Sequence, residues 1–441
     1  MKVSTILRTW WPLALSWLLM SAEPSAIAAV VARMAHPEIN LAAYGSVAFA
    51  IVGLIQAPLL SFLSLSTALS RDWQSYQVGK RLMNYWGLGV SVFYLLVAFT
   101  PLFDLVVKYL IGAPPEIIEP ARISLMVGLP WAYAVGYRRF HQGILIRFDH
   151  SRDVTLGTLT RFIADAMVLA AGYWLAAVPG AVLATLTMVA GVNTDALYVR
   201  WRVKKVLQYE VRNAPPLAQA MSMKTMLMVY LPLAITPLLN TLVRPIGSAA
   251  LSRLPDPVTA LAIWPVVSSF QWLLLTPASA LNETINALID RPNASQALIR
   301  FIIIVGVVET TLMALFAATP LAHLWFGSIA GLDASAVGIA SQALWWLVPT
   351  GILAPLGAWY TGVILNARKT RAITEGMLVY LGGFTLTLSV GSALVQTNGL
   401  YLVTASALGA SVCQTLWLGI RSRQARAALK AGSTPEMDPT A

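Results

Sequence analysis

Two charged residues lie deep in apolar sequence, each with a proline directly after it. Glu23-Pro24 stands in "LLMSAEPSAIAAVVA" and Arg244-Pro245 in "LLNTLVRPIGSAALS". A proline inside a helix removes an N–H, frees a carbonyl one turn earlier and bends the helix. Glu23, Arg244 and the hinge candidates Pro24 and Pro245 therefore suit ligand contact and motion together. Arg138 and Arg139 are adjacent arginines, able to grip an anion or to reach the interface. Arg161 and Asp165 are spaced i,i+4 and can pair on one helix face. Glu309 is a lone carboxylate in an apolar run, a candidate site for a coupling proton or cation, unless a local hydrogen bond accounts for it. Asn240, Gln271 and Asn282-Glu283 are further polar candidates, and Asp195 reads as interfacial.

The residue types that would do catalysis are missing from such patterns. His36, His141, His150 and His323 have no ligand partner at i+3 or i+4, so no zinc motif forms. There is no Walker sequence, no GxGxxG and no Ser/His/Asp arrangement. The single Cys413 rules out a disulfide framework within the chain and a thiolate metal site. The sequence predicts neither an enzyme nor a bound cofactor or metal.

The elements that carry these residues follow from composition. The 441 residues are 57% apolar and 11% charged, whereas a soluble domain carries about 25% charged residues. About 20 apolar residues span a bilayer core. Twelve such segments are read at 11–34, 41–66, 84–110, 117–146, 154–178, 180–200, 223–251, 257–282, 300–322, 336–365, 372–394 and 399–420. The net charge of +11 is distributed between the spans rather than gathered in a patch, which argues against nucleic acid. Lys2, Arg8, Arg71, Lys80, Arg81, Arg147, Arg152, Arg200 to Arg212, Arg291, Arg368 to Arg371 and Arg421 to Lys430 fall on one side, leaving Lys108, Arg122 and Arg253 on the other. The positive-inside rule then places both termini in the cytoplasm of a multi-pass protein of the cell inner (plasma) membrane. The polar tail after Lys430 reads as disordered.

The sequence repeats itself. At a shift of 219 residues, "AFTPLFDL" from Ala98 meets "AATPLAHL" from Ala317, Pro58 meets Pro277, Pro130 meets Pro349, and Gly157 meets Gly376. Near the start the shift is 221, and "EPSAIAAV" from Glu23 meets "RPIGSAAL" from Arg244. The first segment also has the outline of a secretory leader. Its partner deep in the chain instead makes it a structural first helix. Each repeat has an even number of spans, so the expected fold is all-α with two six-helix lobes related by a pseudo-two-fold axis along the membrane normal. The expected division is an N-lobe at 1–206, a cytoplasmic linker at 207–222, a C-lobe at 223–420 and a cytoplasmic tail at 421–441. Pro58 and Pro277 become a second pair of hinges. The repeat also exposes a bias: Arg138, Arg139 and Gln142 align with Gly357, Ala358 and Thr361, and Arg161 and Asp165 with Tyr380 and Phe384.

Twelve spans in two lobes with bent first and seventh helices look like the multidrug/oligosaccharidyl-lipid/polysaccharide flippase superfamily, whose fold is MATE-like. Within it the chain most resembles the progressive ankylosis protein family. The resemblance is carried by "WWPLA" in the first helix, "AAYGSVAFAI" at Ala42 to Ile51, Pro58, "SRD" at Ser70 to Asp72, "RPI" at Arg244 to Ile246, "ALAIWPV" at Ala260 to Val266 and "VPTGILAP…GVILNARKT" from Val348 to Thr370. It covers nearly all spans but is thinly spread, and the long acidic C-terminal tail of that family is missing. The resemblance implies export of anions such as pyrophosphate, citrate or nucleotides. The expectation is an alternating-access secondary exporter of a small organic or phosphorylated anion, acting as a monomer in the bilayer, with Arg244, Arg138, Arg139, Asn240 and Gln271 toward substrate, Glu23 as a gating partner, and Glu309, Asp165 and Arg161 toward ion coupling. The alternatives are a lipid-linked saccharide flippase and a cation-coupled multidrug exporter of the same fold.

Overall fold

The computed structural model describes residues 3–216, 221–289, 294–367, 369, 371–394 and 398–431. Lys2, Arg291, Arg368 and the tail after Ala431 lie outside the described residues. All regular structure among the described residues is helical. The long helices are α1 (Val3–Val31), α2 (Pro37–Leu69), α3 (Trp73–Phe99), α4 (Pro115–Val127), α5 (Leu129–Arg147), α6 (Ser151–Leu175) and α7 (Gly180–Val211). The second repeat supplies α8 (Met223–Leu251), α9 (Pro257–Leu288), α10 (Ala294–Ala318), α11 (Ala334–Leu347), α12 (Thr350–Asn366), α13 (Arg371–Leu394) and α14 (Gly399–Arg421). A short helix, α15 (Arg423–Ala431), follows, so the predicted tail begins as a helix, where Arg426 donates to the Gly419 carbonyl at 2.8 Å.

Among the described residues ten helices are long and apolar enough to cross a membrane, and α11 with α12, bent by 41°, pass the same test together. This is a multi-span membrane protein. The expected span at 117–146 is instead the pair α4 and α5. Gly128 and Pro130 interrupt it, and Arg138, Arg139, His141 and Gln142 make its second part too polar to qualify alone. The break recurs at Pro349 between α11 and α12, because a proline cannot donate into the preceding turn.

The repeat is visible in backbone geometry. Gly112 (φ 75°) and Gly331 (φ 79°), 219 residues apart, both adopt the left-handed region just after a short π-helical turn. His36 (φ 51°) and Asp256 (φ 55°) hold the same place before Pro37 and Pro257, which open α2 and α9. Non-glycine residues seldom adopt that conformation, so its recurrence marks a shared local design rather than chance.

The chain gathers into two compact units. One, the N-unit, is residues 30–252, and the other, the C-unit, is residues 1–29 with 253–441. This differs from the division predicted from the repeat in one respect: the first helix of each half sorts with the helices of the other half. Within the C-unit, Ile6 of α1 joins a core with Leu281, Ile285, Phe301 and Val363. Trp10 Nε1 donates to the Pro277 carbonyl at 3.0 Å, and the Ser21 and Thr276 hydroxyls are 2.9 Å apart. Within the N-unit, the Tyr230 hydroxyl of α8 donates to the Pro58 carbonyl at 3.0 Å, Ser61 donates to the Leu233 carbonyl at 2.8 Å, and Ser248 to the Ser46 carbonyl at 2.6 Å. Apolar periodicity shows that a helix is buried but not against which partner. The expected linker at 207–222 begins as the continuation of α7 to Val211.

Candidate functional site

Polar side chains gather at the same repeat positions in both units, with opposite results. In the N-unit the charge comes from α5, α6 and α7. The α6–α7 pair approaches closely because Gly157 and Gly191 carry no side chain: a Cβ at Gly157 would run into the Asp195 carboxylate, and one at Gly191 into that of Asp165. The two glycines are the room in which the carboxylates sit.

Asp195 is fully buried and forms an ion pair with Arg138, itself buried, at 2.7 Å. Gln142 Nε2, one turn along α5, reaches the same carboxylate at 3.3 Å. Asp195 is thus the centre of a buried charge pair, and its sequence position near the span end does not reveal its partner on α5. Arg161 and Asp165 pair along α6 at 3.6 Å, as their spacing predicts. Arg139 is half-buried, and its Nε is shielded from solvent with no hydrogen-bond partner. The charges that act on it are those of Arg138, Arg161 and Asp195. Among the described residues Arg139 forms no ion pair, so three arginines face two aspartates and the cluster carries an excess positive charge.

In the C-unit the equivalent place is open. Gln271, Asn282, Thr350, Thr361, Ser411 and Gln414 line a cavity of about 400 Å³ between α9, α12 and α14. Gly357, Ala358, Thr361 and Gln414 stand where Arg138, Arg139, Gln142 and Asp195 stand in the N-unit. The Arg161–Asp165 pair is replaced by Tyr380 and Phe384, whose rings stack at 6.1 Å. Asn282 and Gln414 join the site on structural grounds. The cue available in sequence was the alignment of large charged residues with small or neutral ones.

The remaining candidates are dispersed. Glu309 of α10 is buried, and its Oε1 accepts the Ala278 N–H at 2.9 Å, just after Pro277. Its Oε2 is buried without a hydrogen-bond partner. Glu309 therefore satisfies the Ala278 N–H, while the Leu273 carbonyl, which Pro277 leaves without its helical donor, accepts from the Thr276 hydroxyl at 2.7 Å. Glu23 is buried in α1 and belongs to the C-unit, and α1 stays helical through Pro24. Arg244 belongs to the N-unit, half-buried with its guanidinium 5.0 Å from the centre of the Phe49 ring. Helix α8 likewise runs unbroken through Pro245, whereas α2 breaks at Ser61, three residues after Pro58. Asn240 and Glu283 are exposed, and Gln271 donates to the Thr350 hydroxyl at 3.1 Å.

No family model matches the sequence, and no curated protein is detectably similar to it. Solved structures do share its fold. The inward-facing conformation of a multidrug resistance MATE family transporter of the MOP superfamily superposes with a TM-score of 0.70 at 14% identity, covering 96% of this chain and 98% of that one. An outward-facing conformation of such a transporter gives a TM-score of 0.68 at 15% identity over 97% and 96%. A MOP superfamily transporter from Pyrococcus furiosus, described as having a binding pocket of reversed polarity, gives 0.67 at 16% identity over 97% and 96%. The chain has the MATE transporter fold. The narrower resemblance to the progressive ankylosis family finds no support in these comparisons.

Proposed function

We propose that this protein is a secondary-active exporter that carries a small organic or phosphorylated anion across the cell inner membrane by alternating access, with both termini in the cytoplasm. The observation that carries this reading is that three arginines meet two aspartates in the α5–α7 cluster, where Arg139 forms no ion pair among the described residues. Charge at membrane depth costs at least a few kcal/mol and is kept where it meets a polar cavity, a partner or a solute. A guanidinium presents a planar fork of donors that matches carboxylate and phosphate oxygens. Arg244, held over an aromatic face, is a second anion contact. Structures of this fold in inward-facing and outward-facing conformations lend support to alternating access.

Glu309, buried with no basic residue bonded to its carboxylate, is the proposed place for a coupling proton or cation. The same carboxylate favours the second reading, a cation-coupled multidrug exporter. The two readings separate in proteoliposomes loaded with radiolabelled pyrophosphate, citrate or ATP. Anion export predicts efflux of at least one of them, abolished by Arg139→Gln and by Arg244→Ala in protein that elutes as a single folded species. Unchanged efflux in both variants would contradict it.

A further inference from the structure

The C-unit cavity lies apart from the α5–α7 cluster on which the anion reading rests, and its Gln271, expected from sequence to face the substrate, sits among neutral groups. Among the described residues its lining carries no ionised group: the polar contributions are three carboxamides, Gln271, Asn282 and Gln414, and hydroxyls that include those of Ser279, Thr350, Thr361, Ser411 and Thr415, with Trp272 beside them. At about 400 Å³ it lies in the range of small-molecule sites. We propose that it binds an uncharged, polyhydroxylated solute of sugar or polyol type.

Three observations converge. The first is the space itself. The repeat places Gly357 and Ala358 where the N-unit has two arginines, and a Cβ on Gly357 would meet nothing within 4 Å. The cavity is therefore the volume that the first repeat fills with charged side chains. The second is unsatisfied polarity. Gln271 uses one donor on Thr350, while Asn282 Oδ1 is buried with no hydrogen-bond partner. Polar groups kept in an apolar surrounding without partners cost free energy, so a lining of this kind is matched to something polar that enters. The third is the chemistry of the lining. Carboxamides and hydroxyls each both donate and accept. Their match is a solute whose groups also do both, which means hydroxyls rather than an ammonium or a carboxylate. An ion would enter without a counter-charge and lose its hydration. The Trp272 ring adds an apolar face for the C–H side of a sugar ring.

This site lies wholly within the C-unit and stands apart from the anion reading. The test uses the full chain in lipid nanodiscs, titrated with glucose, N-acetylglucosamine, sucrose and inositol, and with glucose 6-phosphate as the charged control, followed by tryptophan fluorescence and by equilibrium dialysis of labelled sugar. Saturable binding of an uncharged member is expected, with Kd raised about tenfold or more by Gln414→Leu and by Gly357→Leu. Pyrophosphate or citrate efflux by the same variants reports separately on the anion reading. Absence of saturable binding of every uncharged probe would overturn the proposal. So would binding that survives both substitutions, or equal binding of glucose 6-phosphate lost in the same variants. If Gly357→Leu fails to fold, Gln414→Leu alone decides.

Discussion

Helices α5–α7 and α12–α14 occupy the same positions in the two repeats, yet the first set encloses charge, whereas α12 and α14 join α9 in enclosing space. Arg138, Gln142 and Asp195 make a hydrogen-bonded triad in the N-unit, while Gly357, Thr361 and Gln414 leave a neutral cavity in the C-unit. The scaffold around them is shared between the halves: left-handed turns at Gly112 and Gly331, breaks before Pro130 and Pro349, and an aromatic donor on the carbonyls of Pro58 and Pro277. The difference shows that a duplicated helical frame holds its backbone devices fixed while its inner side chains diverge in charge.

The largest effect expected from breaking this comparison is at Asp195. Asp195→Ala leaves the buried Arg138 without its carboxylate, which costs about 3–5 kcal/mol, whereas a well-packed apolar replacement of both partners is often neutral. Thermal unfolding in detergent should therefore show a large loss for Asp195→Ala and recovery in Arg138→Met with Asp195→Leu. Equal stability of the single variant and the parent would remove the ion pair from the account. Next comes Gly191→Ala, which drives a methyl group into the Asp165 carboxylate and should cost about 1–3 kcal/mol. The matching C-unit position is already Ala410. Gly191→Ala at wild-type stability would show that α6 and α7 are less closely packed than described.

A graft sharpens the comparison further. Gln414→Asp places a carboxylate in the neutral cavity and should destabilise by about 1–3 kcal/mol. Adding Gly357→Arg rebuilds the Arg138–Asp195 arrangement and should restore most of that loss. No rescue would mean that the two places are equivalent in sequence but not in geometry. The smallest effect expected is at the proline carbonyls. Trp10→Phe and Tyr230→Phe each remove one hydrogen bond and should cost about 1 kcal/mol, by similar amounts if the two halves use the same device.

Much of the frame was legible in sequence, because Pro, Gly and Arg are rare in apolar spans and their recurrence at one shift is informative. The i,i+4 spacing of Arg161 and Asp165 was legible for the same local reason. Asp195 was not: its partner Arg138 is on another helix, and sequence separation says nothing of that approach. Nor was the sorting of α1 with the C-unit and α8 with the N-unit, since an apolar stripe is indifferent to which neighbour covers it. The cavity was half legible. Gly357 and Ala358 opposite two arginines signalled a missing volume, but only the three-dimensional structure shows that the volume stays open and that Asn282 and Gln414 line it.

The proposed role of Arg139, leaving the N-unit with positive charge for an anion, should be readable as ligand-induced stabilisation of the purified protein. A ligand that binds only the folded state stabilises it in proportion to RT ln(1 + [L]/Kd). Melting curves would be recorded for the parent, Arg139→Lys and Arg139→Gln with increasing pyrophosphate, citrate or ATP at constant ionic strength. The account predicts a saturable rise in Tm for at least one anion in the parent, a reduced rise in Arg139→Lys and none in Arg139→Gln. An identical rise in the parent and Arg139→Gln, or a rise only with a cationic probe such as ethidium, would contradict it.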